Sequence, residues 1–147
     1  MEMPGKLVEF LLGGQTCVVA TVDAKGAPNT TVMTWAVARN PQTVTLAVDH
    51  RSRSFQNIRG DARIAVEVLG DDLCYGLRGT AVIEKETMAT TPFPCALVAV
   101  RVEEYRDHGA AGVRFVGPSY SFHAGKEHRK GVEEEIFAEL KGPAPTI

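Results

Sequence analysis

At 147 residues, with 44% hydrophobic and 23% charged side chains, the chain is long enough for one domain with a real core and has an ordinary globular composition. A formal net charge of −2 excludes a surface built throughout to attract nucleic acid or anionic membrane. The longest uninterrupted apolar run, from Cys95 to Val100, is far too short to span a bilayer.

Glu9 breaks the apolar N-terminal segment, which lacks a signal-peptide layout, so the expectation is a cytosolic protein with no membrane and no nucleic-acid partner. Cys17, Cys74 and Cys95 lie far apart, with no C-x-x-C pair and no Cys/His cluster. Buried reduced thiols are expected, with no disulfide framework and no metal site.

In chain order, Leu7, Val8, Leu11 and Leu12 form an apolar stripe at helical spacing, which Gly13-Gly14 stops. Residues 16–22 make a nearly continuous apolar strand, the pattern of burial on both faces. Asp23-Ala24-Lys25-Gly26 is a hairpin connection in which Gly26 can turn left-handed. Residues 29–38, rich in threonine and carrying the only tryptophan, Trp35, read as the next strand. Arg39-Asn40-Pro41-Gln42 then turns the chain.

Residues 43–58 read as a strand running into a basic, serine-bearing turn and then a short helix. Val44, Leu46 and Val48 alternate with Thr43, Thr45 and Ala47, the period of two of a half-buried strand. Asp49, His50 and Arg51 end it, and Ser52 is placed to cap a helix whose Phe55 and Ile58 face inward. A helix N-terminus presents unpaired N–H groups and a partial positive charge. With Arg51, Arg53 and the hydroxyls of Ser52 and Ser54 it makes a candidate phosphate seat; the alternative is a solvated polar turn.

A strand over residues 61–68 follows, with Ile64, Val66 and Val68 on one face, then the turn Gly70-Asp71-Asp72. A long strand over residues 73–86 contains Gly76 and Gly79, which suggest bulges that let a sheet close into a barrel. A loop through Pro92 and Pro94 leads to a strand over residues 96–104. Six strands with mostly hairpin-like connections predict a mainly β (α+β) domain over residues 1–147, an antiparallel barrel with flanking helices. Glycines and a proline break any period over residues 105–125, where one short strand is expected near residues 113–116. Residues 126–140 read as an amphipathic helix with Val132, Ile136, Phe137 and Leu140 on one face.

No P-loop, G-x-G-x-x-G or G-x-S-x-G motif is present, and His108, His123 and His128 read as surface histidines. The scattered acidic residues certify no acid–base pair. Chemistry therefore falls to a bound cofactor, or there is none.

The order of a helix, barrel strands, the turn D-x-x-G-x-P (Asp23 to Pro28), a strand, then Ser52-Arg53 and a helix reaching Ile58 resembles the pyridoxamine 5′-phosphate oxidase-like FMN-binding split barrels over about residues 16–86. The resemblance implies a six-stranded split β-barrel and a homodimer with flavin at the subunit interface. It implies that Thr31, Val32, Met33, Thr34 and Trp35 lay their backbone along the isoalloxazine, and that Val48 and Asp49 lie beside the ribityl chain or ring. Ser52, Arg53 and Ser54 take the phosphate-binding positions, with Arg51 as a supplementary cation.

Family members with oxidase activity usually carry Arg at the position of Thr31 and Lys at those of Ala36 and Ser54. Their C-terminal substrate segment has no counterpart here, so pyridoxamine phosphate itself is not the expected substrate. The expected activity is that of a small FMN-dependent oxidoreductase of unassigned substrate. Two alternatives stand beside it: a non-enzymatic dimeric module binding haem or another ligand, and a reductase using deazaflavin F420, as related barrels do.

Overall fold

The computed structural model describes residues 1–142. Its elements run α1 (Gly5–Phe10), β1 (Cys17–Val22), β2 (Pro28–Met33), β3 (Ala36–Asn40), β4 (Thr43–Asp49), α2 (Arg53–Gly60), β5 (Arg63–Gly70), β6 (Leu73–Lys85), β7 (Cys95–Asp107) and α3 (Arg129–Lys141). The strands form one antiparallel, curled sheet in the order β2-β1-β5-β6-β7-β4-β3. This is the expected split-barrel architecture, with seven strands where six were predicted.

The extra strand comes from the run read as one strand over residues 29–38. Its first part, β2, pairs with β1, and its second part, β3, pairs with β4. One run therefore supplies both outer edges of the sheet, and the chain crosses between them at Thr34-Trp35. Alternation alone could not reveal this break, because each half keeps a strand-like period of two. It is a tertiary decision: β2 alternates exposed and half-buried residues, whereas Ala36, Val37 and Ala38 are all buried.

Two apolar clusters explain the burial pattern. The main one fills the inside of the curl with Val19, Leu46, Val66, Leu77 and Val98, closed by Leu7 and Leu11 at the N-terminus and by Phe55 and Ile58 of α2. Asn57 of α2 donates to Thr21 Oγ1 of β1 at 3.0 Å, fixing that helix to the barrel wall. The second cluster lies outside the curl, where Ile136 and Leu140 of α3 cover Val37, Ala47, Cys95 and Leu97. Thr45 Oγ1 donates to the Leu140 carbonyl at 2.8 Å, satisfying one of the acceptors left over at the helix end.

β4 and the first half of β7 are consequently buried on both faces. β1, expected to be buried on both faces, instead alternates buried and half-buried residues. Among the described residues no helix lies over its outer side; Val18 and Ala20 stay partly open, and Val32 on β2 is 63% exposed.

Gly79 sits at a register shift between β6 and β7, where a Cβ would meet the Arg101 carbonyl oxygen at 2.0 Å. The close approach of two strands therefore requires glycine there. β7 continues to Asp107, past the expected end at residue 104, and no strand forms at residues 113–116. That segment is held by single contacts instead, such as Asp72 N–H to the Phe115 carbonyl at 2.7 Å. The last helix begins at Arg129 rather than at residue 126, after turns over residues 124–128. All three cysteines are free and buried, as expected.

Candidate functional site in the barrel seam

A cleft of about 260 Å³ lies where the chain crosses from β2 to β3. Thr31, Val32, Met33, Thr34 and Trp35 form one side; Val48, Asp49, Ser52 and Ser54 form the other. Ala47, Phe93 and Cys95 complete the lining and carried no functional signal in the sequence. Arg51 and Arg53, grouped with these residues from sequence, do not line the cleft in the chain by itself.

The elements explain the placement. β2 is an edge strand paired only to β1, so the other edge of its backbone faces the seam with unpaired donors and acceptors. β4 delivers Val48 and Asp49 from the opposite lip, and the turn after it directs the N-terminus of α2 at the same space. Ser52 caps that helix: its Oγ accepts from Phe55 N–H at 3.1 Å and donates to the Asp49 carbonyl at 2.7 Å. The hydroxyl proposed from sequence as an anion donor is thus engaged in the cap. Gln56 N–H reaches the Ser52 carbonyl at 3.4 Å, so the N–H groups of Arg53 and Ser54 are the first-turn donors left over.

Arg51 is also engaged. Its guanidinium bonds Asp49 through Nε at 3.2 Å and Nη2 at 3.0 Å, and stands 5.2 Å from the Phe93 ring centre. Hydrogen bonds from Arg51 hold the Asp49 carboxyl below its usual range, against the opposing effect of burial. The pair is close to neutral together, whereas Arg53, at the first position of α2, makes no ion pair among the described residues. Burial pushes the Cys95 thiol up, with Thr91 opposing, so Cys95 is a neutral part of the wall.

Trp35 is held from behind. Its ring stacks on Phe93 with centroids 5.6 Å apart, and its Nε1–H donates to Glu133 Oε2 at 2.9 Å. Tyr120 donates its hydroxyl to Glu133 Oε1 at 2.8 Å. One carboxylate of α3 thereby ties the cleft wall to the segment whose role was unreadable in sequence. That segment also closes a second cavity of about 260 Å³, adjoining the first at Thr34 and Trp35 and containing His123, Lys126 and Arg129.

A family model described as pyridoxamine 5′-phosphate oxidase matches residues 3–113. The chain belongs to that family. A search of curated protein sequences finds no match. Among solved structures, this family member resembles HupZ of Group A Streptococcus at 23% identity and a TM-score of 0.63, covering 78% of this chain and all of HupZ. A putative pyridoxamine 5′-phosphate oxidase of Lactobacillus delbrueckii matches at 19% identity and a TM-score of 0.62, over 71% of this chain and 93% of its own. HutZ, the haem storage protein of Vibrio cholerae, matches at 15% identity and a TM-score of 0.58, over 75% and 98%. At these identities the likeness shows the fold. Among the described residues, no helix is long and apolar enough to cross a membrane.

Proposed function

We propose that the seam cleft binds FMN between two copies of this chain and that the protein is a small FMN-dependent oxidoreductase. One observation carries the reading: the unpaired backbone edge of residues 31–33 and the open N-terminus of α2 face one space. The first offers donors and acceptors to a flat polar ring, and the second offers N–H groups to a phosphate. Arg53 and Ser54 would hold the phosphate, Ser52 would keep the helix end in shape, and Trp35 would form a wall braced by Glu133. Bound FMN would supply hydride or single-electron transfer, and the chain's own residues would orient it and keep water from one ring face.

The size of the cleft supports a shared site. Pockets for small molecules run to roughly 300–1,000 Å³, and one chain supplies less. The uncovered apolar outer side of β1 and β2, with Val18, Ala20 and exposed Val32, is suited to a second copy. A haem reading has less support, because no histidine lines this cleft among the described residues and its one thiol is buried. Mass spectrometry of the small molecule released from purified protein distinguishes FMN, F420 and haem. Protein that is colourless as purified and leaves added FMN fluorescence unquenched would overturn the reading.

A further inference from the structure

A second constellation lies outside the curl, away from the seam. In β5, Val66 and Val68 face the core, which turns Glu67 outward. Glu67 pairs across the ladder with Gly76 of β6, and Cys74, two residues earlier, shares that outer face. β7 then brings His108, just past its end, back over β6, where its N–H donates to the Cys74 carbonyl at 2.8 Å. Gly76 makes this possible: a Cβ there would stand 2.3 Å from His108 Cε1. The imidazole fills space that only glycine leaves.

Three potential ligand atoms converge within 4.8 Å of one another. The Cys74 thiol lies 3.3 Å from Glu67 Oε2, and His108 Nδ1 lies 2.6 Å from the same oxygen. We propose that Glu67, Cys74 and His108 form a binding site for a divalent transition cation of the zinc class. Typical metal–ligand lengths of 2.0–2.3 Å put tetrahedral ligand pairs roughly 3.3–3.8 Å apart. The Cys–Glu spacing already meets this, and the His–Glu spacing opens by roughly 1 Å through rotation of two partly exposed side chains.

The donor set chooses the ion. A thiolate with an imidazole favours zinc or cobalt over magnesium or calcium, which prefer all-oxygen sites. Thiolate and carboxylate together balance the dication, and His108 binds as neutral imidazole. Loading transfers the Cys74 thiol proton to solvent, leaves the His108 ring proton on Nε2 so that Nδ1 is free to coordinate, and exchanges two hydrogen bonds on Glu67 Oε2 for coordination. Three protein ligands leave a fourth position for water or a small ligand. Glu67 and His108 border a groove of about 520 Å³ in the single chain, whose far side, Val18 and Ala20, belongs to the face proposed above for a second copy. All three ligands come from one chain, so the site needs neither the seam cleft nor its cofactor.

The test is titration of metal-stripped, full-length protein with Co²⁺, read as difference spectra against the same protein without cobalt. The proposal expects one Co²⁺ per chain, a thiolate-to-cobalt charge-transfer band in the near ultraviolet, and displacement by Zn²⁺. Cys74→Ser should lose the band and Cys95→Ser should keep it. His108→Ala should weaken binding by at least about tenfold, since even outer partners of a ligand are worth that much. His108 is exposed, so this variant decides the matter if Cys74→Ser does not fold. No band at millimolar Co²⁺, a band that survives Cys74→Ser, or an unchanged titration of His108→Ala would each overturn the proposal.

Discussion

The two ends of the sheet are built from similar strands and are treated differently. At the β4–β3 end, α3 lays a second apolar layer over the outer face, and β4 becomes buried on both sides. At the β2–β1 end no layer among the described residues covers the outer face, and the same kind of threonine- and valine-rich strand stays half-open. Burial on both faces is thus set by what packs on a strand, beyond what its own residues prescribe. The candidate cleft lies at the seam between these two regimes, where one edge strand has backbone to spare and the opposite lip is rigid.

The largest test of this contrast is Ile136→Ala, which empties a fully buried position beneath α3. It should cost about 2–5 kcal/mol in a denaturant titration. A loss below about 1 kcal/mol would show that α3 is not a true second layer. Glu133→Ala leaves the Trp35 indole and the Tyr120 hydroxyl without their acceptor and should cost about 1–3 kcal/mol. Trp35 is the only tryptophan, so its emission should shift as well, and an unchanged spectrum would separate the wall from its brace.

Ser52→Ala removes the α2 cap, at about 1 kcal/mol of stability, and should weaken FMN binding through the disordered helix end. Arg53→Ala should leave stability nearly unchanged while lowering affinity for the proposed FMN by roughly 10- to 150-fold, a charge-assisted contact being worth about 1.5–3 kcal/mol. Fluorescence quenching reads both, and equal effects on binding and stability for Arg53→Ala would remove it from the site. The smallest effect on folding is expected at the open end. Val32→Asp, at a position 63% exposed, should change monomer stability by less than about 0.5 kcal/mol while abolishing the proposed dimer in light scattering.

The covered end should also be the acid-sensitive one. Burial would raise the Glu139 carboxyl, but hydrogen bonds from Thr90, Ala89 and Lys85 outweigh it and hold the group at about 2. A depressed folded pKa contributes stability above the unfolded value, and that contribution is lost as pH falls through the folded one. Stability should therefore drop between about pH 4.5 and 2, and Glu139→Gln should flatten that part of the profile. A profile identical to that of the parent chain would show that the ties from Glu139 to the 85–90 segment contribute nothing.

Much of this was legible in the chain because the signals were local. The Asp23–Gly26 turn, the Ser52 cap and the inward Phe55 and Ile58 each depend on residues within a few positions of one another. Thr31 to Trp35, Val48, Asp49, Ser52 and Ser54 were grouped through family likeness and do line one cleft, whereas Arg51 and Arg53, grouped with them, do not. The committed hydroxyl of Ser52 and the Asp49–Arg51 pair were not legible, since a residue type names a donor without saying what already occupies it. Phe93, Cys95 and Glu133 were missed because they come from distant elements and carry no motif.

By itself, then, the sequence determined most of the strands, the hairpins and the capped helix, because period, turn chemistry and capping act over a few residues. Only the tertiary structure decided that residues 29–38 break into two opposite edges at Thr34-Trp35. The pairing partners of the two halves, β1 and β4, pull the run to different ends of one sheet. It alone decided that Cys74 and His108, read apart as a buried thiol and a surface histidine, meet beside Glu67. Strand register and a missing Cβ at Gly76 bring together groups separated by up to 41 residues, a distance no local pattern encodes.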